Sequence, residues 1–177
     1  MLEIGPDGFP STFQKMTSIE EIRWETLDIC DSPSLTFAGC QMYSFPIEND
    51  TYDIVLSGQV IEHVARIWQW MRELARVTKP NGLVITINPI SWPYHEAPID
   101  CWRIYPEGMK ALCEDAGLSI EKTFWGSLEQ PKFRRDMPGR SPEFQPKILR
   151  FFFSIAGLFG FPVEKSFDTI TIARKLT

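Results

Sequence analysis

Cysteine and histidine are scarce in this sequence, which limits the metal and redox chemistry that it can carry. The 177 residues include four cysteines and two histidines. The cysteines at positions 30, 40, 101 and 113 show no C-x-x-C spacing of the kind that marks a metal or redox pair. We therefore predict no metal site. Isolated thiols are typical of a reducing compartment, so we expect a cytoplasmic protein.

Long apolar runs and an excess of positive charge are also missing. No apolar run reaches the ~18–20 residues that a membrane-spanning helix needs. The net charge of −5 argues against nucleic acid as the main partner, because nucleic-acid-binding surfaces are basic. The length and the 44% hydrophobic content suit one domain with a substantial core, which we assign to residues 1–177.

Strand-like and helix-like segments alternate along the chain. Strands are predicted at residues 2–4, 23–29, 34–38, 52–57, 83–87, 118–125 and 167–174. Helices are predicted at residues 66–78, 106–116 and 146–159, with a turn at 79–82. This alternation predicts an α/β fold with a doubly wound, mostly parallel sheet. The last two strands are not joined by a normal crossover helix, so we expect an antiparallel pair that carries an insertion at about 126–165, in which the helix at 146–159 lies.

A glycine turn follows the first strand. Gly5 ends the strand, and Asp28 lies about 20 residues further on, where dinucleotide-binding folds place a carboxylate that holds ribose hydroxyls. The glycine fingerprint is incomplete, because Asp7 and Phe9 occupy positions where further glycines are expected. An ordinary turn and a surface aspartate are the alternative interpretations. The strand begins at residue 2, so either it is unusually short or the sequence is part of a longer chain.

Several further motifs occur in a characteristic order. With them, the sequence resembles the class I S-adenosylmethionine-dependent methyltransferases, in particular the group whose fourth strand ends in Glu-His-Val. The matching segments are Leu2-Glu3-Ile4-Gly5, Asp28, Phe45-Pro46, Val60-Ile61-Glu62-His63-Val64, Glu73-Leu74-Ala75-Arg76-Val77, Lys79-Pro80-Asn81-Gly82 and Pro106-Glu107-Gly108.

The resemblance implies a seven-stranded Rossmann-like sheet of order 3-2-1-4-5-7-6 with an antiparallel last strand. Compared with the family, the domain is N-terminally short, because the family's first helix is missing. It implies S-adenosylmethionine as the cofactor. The residues expected to bind its methionine part are Glu3, Gly5, Pro6, Asp7 and Gly8. Asp28 is expected to bind the ribose. The residues expected near the adenine are Ile29, Gln41 and Met42. The residues expected below the sulfonium are Ser57, Gly58 and Gln59.

The two histidines are the catalytic candidates. An oxygen acceptor often needs a general base, and an imidazole can accept a proton near neutral pH. His95 lies in the loop of residues 88–105, which by analogy borders the acceptor, whereas His63 belongs to the family signature; a structural role is the alternative for each. The predicted function is O-methylation of a small molecule or glycan. The alternatives are N- or C-methylation and a degenerate domain with a binding or structural role.

The predicted insertion contains a basic stretch followed by a strongly apolar helix. Residues 131–150 hold six basic and two acidic residues. The helix predicted at 146–159 is rich in phenylalanine, so we expect something to cover it. The candidates are the protomer's own core, a second subunit in a homodimer, a bulky acceptor and a membrane surface.

Overall fold

The computed structural model describes residues 1–17, 21–92, 94–96, 98–126, 134–135, 143–144, 147–160 and 167–177. These residues form eight strands: β1 (Leu2–Ile4), β2 (Glu25–Leu27), β3 (Tyr52–Gly58), β4 (Thr78–Pro89), β5 (Leu118–Gly126), β6 (Arg134–Arg135), β7 (Glu143–Phe144) and β8 (Asp168–Lys175). They also form four α-helices: α1 (Thr12–Met16), α2 (Ile67–Val77), α3 (Pro106–Asp115) and α4 (Lys147–Leu158). A 3-10 turn spans Ile61–His63.

Six of the strands form one sheet in the order β2-β1-β3-β4-β8-β5. The pairs β1–β2, β1–β3 and β3–β4 are parallel, and β8 is antiparallel to both β4 and β5. This confirms the predicted α/β class and the predicted order, apart from the strand at the outer edge. The strands β6 and β7 form a separate two-stranded pair.

The strand predicted at 34–38 is wrong as an element of the sheet. Phe37 forms one isolated bridge with Leu27, with its backbone N–H donating to the Thr26 carbonyl at 2.9 Å. Thr36 donates its own N–H to the Thr26 hydroxyl rather than to a carbonyl. The segment therefore lies where the third strand was expected, but side-chain bonds replace the regular ladder. The described sheet has six strands instead of seven.

The turn predicted at 79–82 lies inside β4. Tyr52 pairs with Thr78 and Ile54 pairs with Leu83, so β4 carries three extra residues between two adjacent pairs of the ladder. This bulge contains Asn81 in the left-handed backbone region, with φ +64°. The turn-forming residues therefore do bend the chain at 79–82. Because β4 pairs with β3 both before and after this bend, the bend is a bulge within one strand.

One face of the sheet carries the main hydrophobic core. Helices α2 and α3 cover this face, and Trp70 and Met109 are fully buried against strand residues such as Val55 and Val84. Burying a large apolar side chain contributes about 1.5–3 kcal/mol, so this face supplies most of the packing energy. A smaller cluster of Leu56, Ile87 and Ile170 lies on the other face, with Phe13 of α1 packed against it.

The predicted insertion is described only in part. The helix predicted at 146–159 is present as α4, but residues 145–146 lie outside the described residues. Of the six basic positions counted in 131–150, residues 132 and 140 also lie outside them. Among the described helices, none is long and apolar enough to cross a bilayer.

Candidate active site

The glycine turn lies at the carboxyl end of β1, between the ends of β2 and β3. Gly5 has φ +67° and donates its N–H to the Leu27 carbonyl at 2.9 Å. A Cβ at Gly5 would lie 2.5 Å from Cγ2 of Val60, which follows β3. Glycine is therefore required both by the backbone conformation and by the close approach of this neighbour.

Glu3, predicted to contact the methionine part, is a buried residue of β1. Its Oε2 accepts hydrogen bonds from the Ser11 hydroxyl and the Trp24 indole N–H, each at 2.7 Å. Burial raises the pKa of Glu3 above its usual value, and these two donors only partly oppose that effect. The Glu3 carboxylate thus holds together the segments that follow β1 and precede β2.

Asp7, Pro6 and Gly8 complete the turn. Asp7 accepts hydrogen bonds from the Thr12 backbone N–H at 2.7 Å and the Thr12 hydroxyl. The hydroxyl and the N–H of Thr12 hold the pKa of Asp7 below its usual value. A Cβ at Gly8 would meet nothing nearer than 4.0 Å, so the turn is open to a ligand there. Asp7 stands where a further glycine was expected. Its side chain attaches the turn to the first residue of α1.

Asp28 lies just beyond the carboxyl end of β2. Its Oδ1 accepts a hydrogen bond from the Cys30 N–H at 2.9 Å, and the carboxylate raises the pKa of the neighbouring Cys30 thiol through its charge and a side-chain hydrogen bond. Ile29 next to it is exposed, as is Gln41, and Met42 is partly buried against the core. The Asp28 carboxylate can also accept from ribose hydroxyls, and apolar surface lies close to it in sequence.

The three residues predicted below the sulfonium point in different directions. Ser57 is buried, and its hydroxyl has no partner among the described residues. Gly58 is covered by Phe13, since a Cβ there would lie 2.3 Å from the Phe13 ring. Gln59 has φ +57° and donates from Nε2 to Asp168 at 2.9 Å. The sequence analysis missed Phe13, because its weakly helical segment carried no signal of contact with β3.

The two predicted catalytic histidines are neighbours in space. The ring centroids of His63 and His95 lie 4.9 Å apart, and the rings are nearly perpendicular, at 87°. Nδ1 of His63 lies 2.5 Å from the Ile99 carbonyl oxygen. Because a carbonyl oxygen only accepts, this Nδ1 carries a hydrogen, and in the neutral imidazole the lone pair is then on Nε2. His63 comes from the 3-10 turn after β3, and His95 comes from the loop after β4.

Asp100 orients His95 and is itself fixed by Arg103. Its Oδ2 accepts from the His95 backbone N–H at 2.8 Å and lies 3.4 Å from His95 Nδ1. Two guanidinium nitrogens of Arg103 donate to the two carboxylate oxygens at 2.5 and 2.7 Å. Burial acts to raise the pKa of Asp100, but Arg103 and the His95 N–H outweigh it and keep the pKa below its usual value. The carboxylate therefore stays ionised beside the imidazole.

Glu62 completes this cluster from the side of the protein interior. Its side chain is 1% exposed, its Oε1 lies 3.8 Å from His63 Nε2, and its Oε2 has no partner among the described residues. Burial raises the pKa of Glu62 to about 7. The sequence analysis placed Glu62 in the family signature but gave it no chemical role. Its burial beside two histidines depends on the fold and leaves no local pattern.

The family comparison fits this geometry. The family model described as "Methyltransferase domain" matches residues 17–86, which contain β2, β3 and the Glu62-His63 turn. Residues 17–86 therefore match a methyltransferase domain, and the sheet order agrees with that match. The resemblance on which the sequence analysis relied is therefore confirmed.

Known proteins similar to this methyltransferase domain include a curated relative and solved structures. An uncharacterized methyltransferase of Mycobacterium tuberculosis is 52% identical over 42 residues, which cover 24% of this chain and 16% of the relative. A SAM-dependent methyltransferase of Archaeoglobus fulgidus has a TM-score of 0.60 at 16% identity, covering 98% of this chain and 85% of that one. The 1,6-didemethyltoxoflavin-N1-methyltransferase of Burkholderia thailandensis has a TM-score of 0.61 at 11% identity, covering 99% and 70%.

The residues of the methyltransferase domain fit the cofactor that these comparisons indicate, S-adenosylmethionine. The open space at Gly8 can admit the methionine part, and the Asp28 carboxylate can accept from a ribose hydroxyl. Both lie at the carboxyl edge of adjacent parallel strands, where ligands of open α/β sheets bind.

Proposed function

We propose that the protein binds S-adenosylmethionine and transfers its methyl group to an oxygen atom of a small molecule or glycan. The proposal rests on one observation: the glycine turn, Asp28 and the two-histidine cluster follow four adjacent parallel strands at the same edge of the sheet. Cofactor and acceptor sites must be neighbours in a transferase, because the reacting atoms have to be held about 3 Å apart.

We propose that the parts of the cofactor are bound by the segments that follow neighbouring strands of the sheet. Residues 5–8 contact the methionine part, Asp28 accepts from the ribose, and Ile29, Gln41 and Met42 lie beside the adenine. The residues 57–59 lie below the sulfonium, with the buried Ser57 hydroxyl as the polar group. When bound, the cofactor supplies an electrophilic methyl carbon, and the protein's task is to align the acceptor with it.

The acceptor side is proposed to lie at the histidine cluster. In the transfer, the acceptor oxygen forms a bond to the methyl carbon while the bond from that carbon to sulfur breaks, and the hydroxyl proton has to leave. A carboxylate-oriented imidazole such as His95 is suited to take this proton. In support of a small-molecule acceptor, the structure of the Burkholderia N1-methyltransferase contains the small molecule 1,6-didemethyltoxoflavin. The described cysteines are free, which supports our proposal that the protein acts in the cytoplasm.

Substituting Asp28 tests the cofactor site. Asp28→Ala removes a charged acceptor of ribose hydrogen bonds, and each charge-assisted bond contributes about 1.5–3 kcal/mol. We expect S-adenosylhomocysteine to bind at least tenfold more weakly, as measured by calorimetric titration. Asp31→Ala is the matched control, because Asp31 is an exposed aspartate of the following loop.

The result separates the candidate functions. Affinity within about twofold of the unchanged protein would show that Asp28 does not hold the ribose. If the unchanged protein itself failed to bind S-adenosylhomocysteine, the transferase proposal would be wrong and a binding or structural role would replace it.

A further inference from the structure

The sequence predicted no metal site, but from the side-chain geometry we propose that Glu62, His63 and His95 form a binding site for a divalent transition-metal ion. Each of the three side chains offers one ligand atom, and these atoms all lie within 4.8 Å of one another. The ion binding itself follows from this cluster, whereas the role of the ion in catalysis rests on the proposed methyl transfer.

The spacing of the ligand atoms suits a metal after a small adjustment. Metal–ligand bonds of about 2.0–2.2 Å place neighbouring tetrahedral ligands about 3.4 Å apart. Nε2 of His63 and Oε1 of Glu62 are already 3.8 Å apart. Movements within side-chain rotamers can therefore bring the three ligands to coordination distance without moving a strand.

Both imidazoles are held in the way that metal-binding histidines usually are. Such histidines usually donate one ring N–H to a carboxylate or a backbone carbonyl, which fixes the tautomer and directs the other nitrogen at the metal. Nδ1 of His63 lies 2.5 Å from the Ile99 carbonyl oxygen, within hydrogen-bond distance, and Nδ1 of His95 lies 3.4 Å from Oδ2 of Asp100 as an ion-pair contact. Arg103 neutralises Asp100 from its other side, so that Asp100 supports His95 without adding a net charge.

Glu62 provides the observation that points independently to a ligand. Its side chain is almost completely buried, and its Oε2 has no hydrogen-bond partner among the described residues. A buried carboxylate oxygen without a partner is costly, because burial removes water and nothing replaces it. Oε1 of the same carboxylate lies 3.8 Å from His63 Nε2, so a cation held there by both carboxylate oxygens would also satisfy Oε2. The Glu62 backbone is also fixed, since its carbonyl accepts from the Cys101 N–H at 2.7 Å.

The ligand set favours a particular class of ion. Two imidazoles and one carboxylate suit zinc, cobalt, nickel or ferrous iron, whereas magnesium and calcium prefer sites built from oxygen. Three protein ligands leave a position open, as in catalytic zinc sites. An acceptor hydroxyl at that position would lose its proton to solvent more readily, because the cation stabilises the oxygen anion. With the ion bound, His95 serves as a ligand rather than as the proton acceptor.

The first test is titration of the full, chelator-treated chain, free of any histidine tag, with Co²⁺ and then with Zn²⁺ as competitor. We expect one equivalent of Co²⁺ to give the visible absorption of a four- or five-coordinate site, and Zn²⁺ to displace it. We expect Glu62→Gln and His63→Ala to weaken Co²⁺ binding by at least about tenfold. Cys30→Ser/Cys101→Ser is the matched control, because both thiols are exposed and could bind metal by themselves.

A second measurement uses the unchanged protein. The chain has only two histidines, so the Hε1 proton resonances of both can be followed by NMR during the Zn²⁺ titration. We expect both to shift together and to saturate at one equivalent. Unshifted resonances, or binding that disappears only in the cysteine control, would overturn the site.

The outcome is independent of the proposed function. Calorimetric titration of the chelator-treated protein with S-adenosylhomocysteine shows whether the cofactor binds without the ion. Cofactor binding without any metal binding would disprove this inference and leave the transferase proposal in place. Metal binding without cofactor binding would support this inference and disprove the transferase proposal.

Discussion

At the scale of single residues, Gly5 shows how one position combines two constraints. Its φ of +67° lies in the left-handed region, and its missing side chain leaves room for Val60. Gly117 at the end of α3 has a similar φ of +74°, but a Cβ there would meet nothing within 4 Å. A side chain at Gly117 would therefore meet backbone strain alone, whereas a side chain at Gly5 would meet both backbone strain and a steric overlap.

Substituting each glycine by alanine should show this difference. Gly117→Ala adds only left-handed strain, and we expect it to lower the free energy of unfolding by about 1–2 kcal/mol. Gly5→Ala adds the overlap with Val60, and we expect a loss of about 2–5 kcal/mol. Urea denaturation of the two variants gives both values. Equal losses would mean that Val60 moves aside without cost.

At the scale of elements, Glu73 and Arg76 attach the loop before β3 to helix α2. Glu73 Oε1 accepts from the Phe45 N–H at 2.6 Å and from Arg76 Nη2 at 2.6 Å. Arg76 Nη1 also donates to the Ile47 carbonyl at 2.7 Å and to Asn49 Oδ1 at 2.8 Å. Two motifs of the sequence, Phe45-Pro46 and the α2 segment, are thus parts of one contact.

Removing the acid from this contact should destabilise the protein. Glu73→Ala leaves the Phe45 N–H and part of the Arg76 guanidinium without an acceptor, and we expect a loss of about 2–4 kcal/mol. Glu107→Ala on α3 is the control, because Glu107 forms an ion pair of the same i,i+3 spacing with Lys110 at the surface. We expect this control to lose less than about 1 kcal/mol. Chemical denaturation measures both, and similar losses would contradict the element-joining role of Glu73.

At the scale of the whole molecule, the apolar helix α4 contrasts with the core. Large apolar residues of α4 and of the turn directly after it are 58–86% accessible: Ile148, Phe151, Phe152, Leu158 and Phe159. Trp70 on α2, by comparison, is 1% accessible. The contact predicted for residues 146–159 with a second subunit or a membrane surface stays a prediction, since the structure contains one chain.

The contrast predicts two different responses to substitution. Phe152→Ser/Phe159→Ser should change the free energy of unfolding by less than about 1 kcal/mol, because exposed positions usually contribute within 0.5 kcal/mol each. Trp70→Ala should cost about 3–5 kcal/mol, because it leaves a cavity in the core. Thermal and chemical unfolding at equal protein concentration measure both variants. A loss of several kcal/mol from the phenylalanine pair would show that something covers α4 in solution.

The sequence by itself determined the elements whose signals are local. Continuous apolar runs predicted β3 and β4, and Pro106 with Gly117 marked the two ends of α3. The order of the strands followed from the family motifs and is confirmed by the sheet. The prediction of an edge strand at 34–38 was wrong. The Thr36 N–H bonds to the Thr26 hydroxyl and the Phe37 N–H bonds to the Thr26 carbonyl, so no regular ladder forms with β2.

Only the tertiary structure decided how the site is assembled. His63 and His95 are 32 positions apart, and they meet because β3 and β4 are parallel neighbours whose carboxyl ends share one edge of the sheet. The same arrangement buries Glu62 beside them, and the packing of α1 brings Phe13 onto Gly58. No local pattern encodes these contacts, because each depends on strand register and on packing between segments distant in sequence.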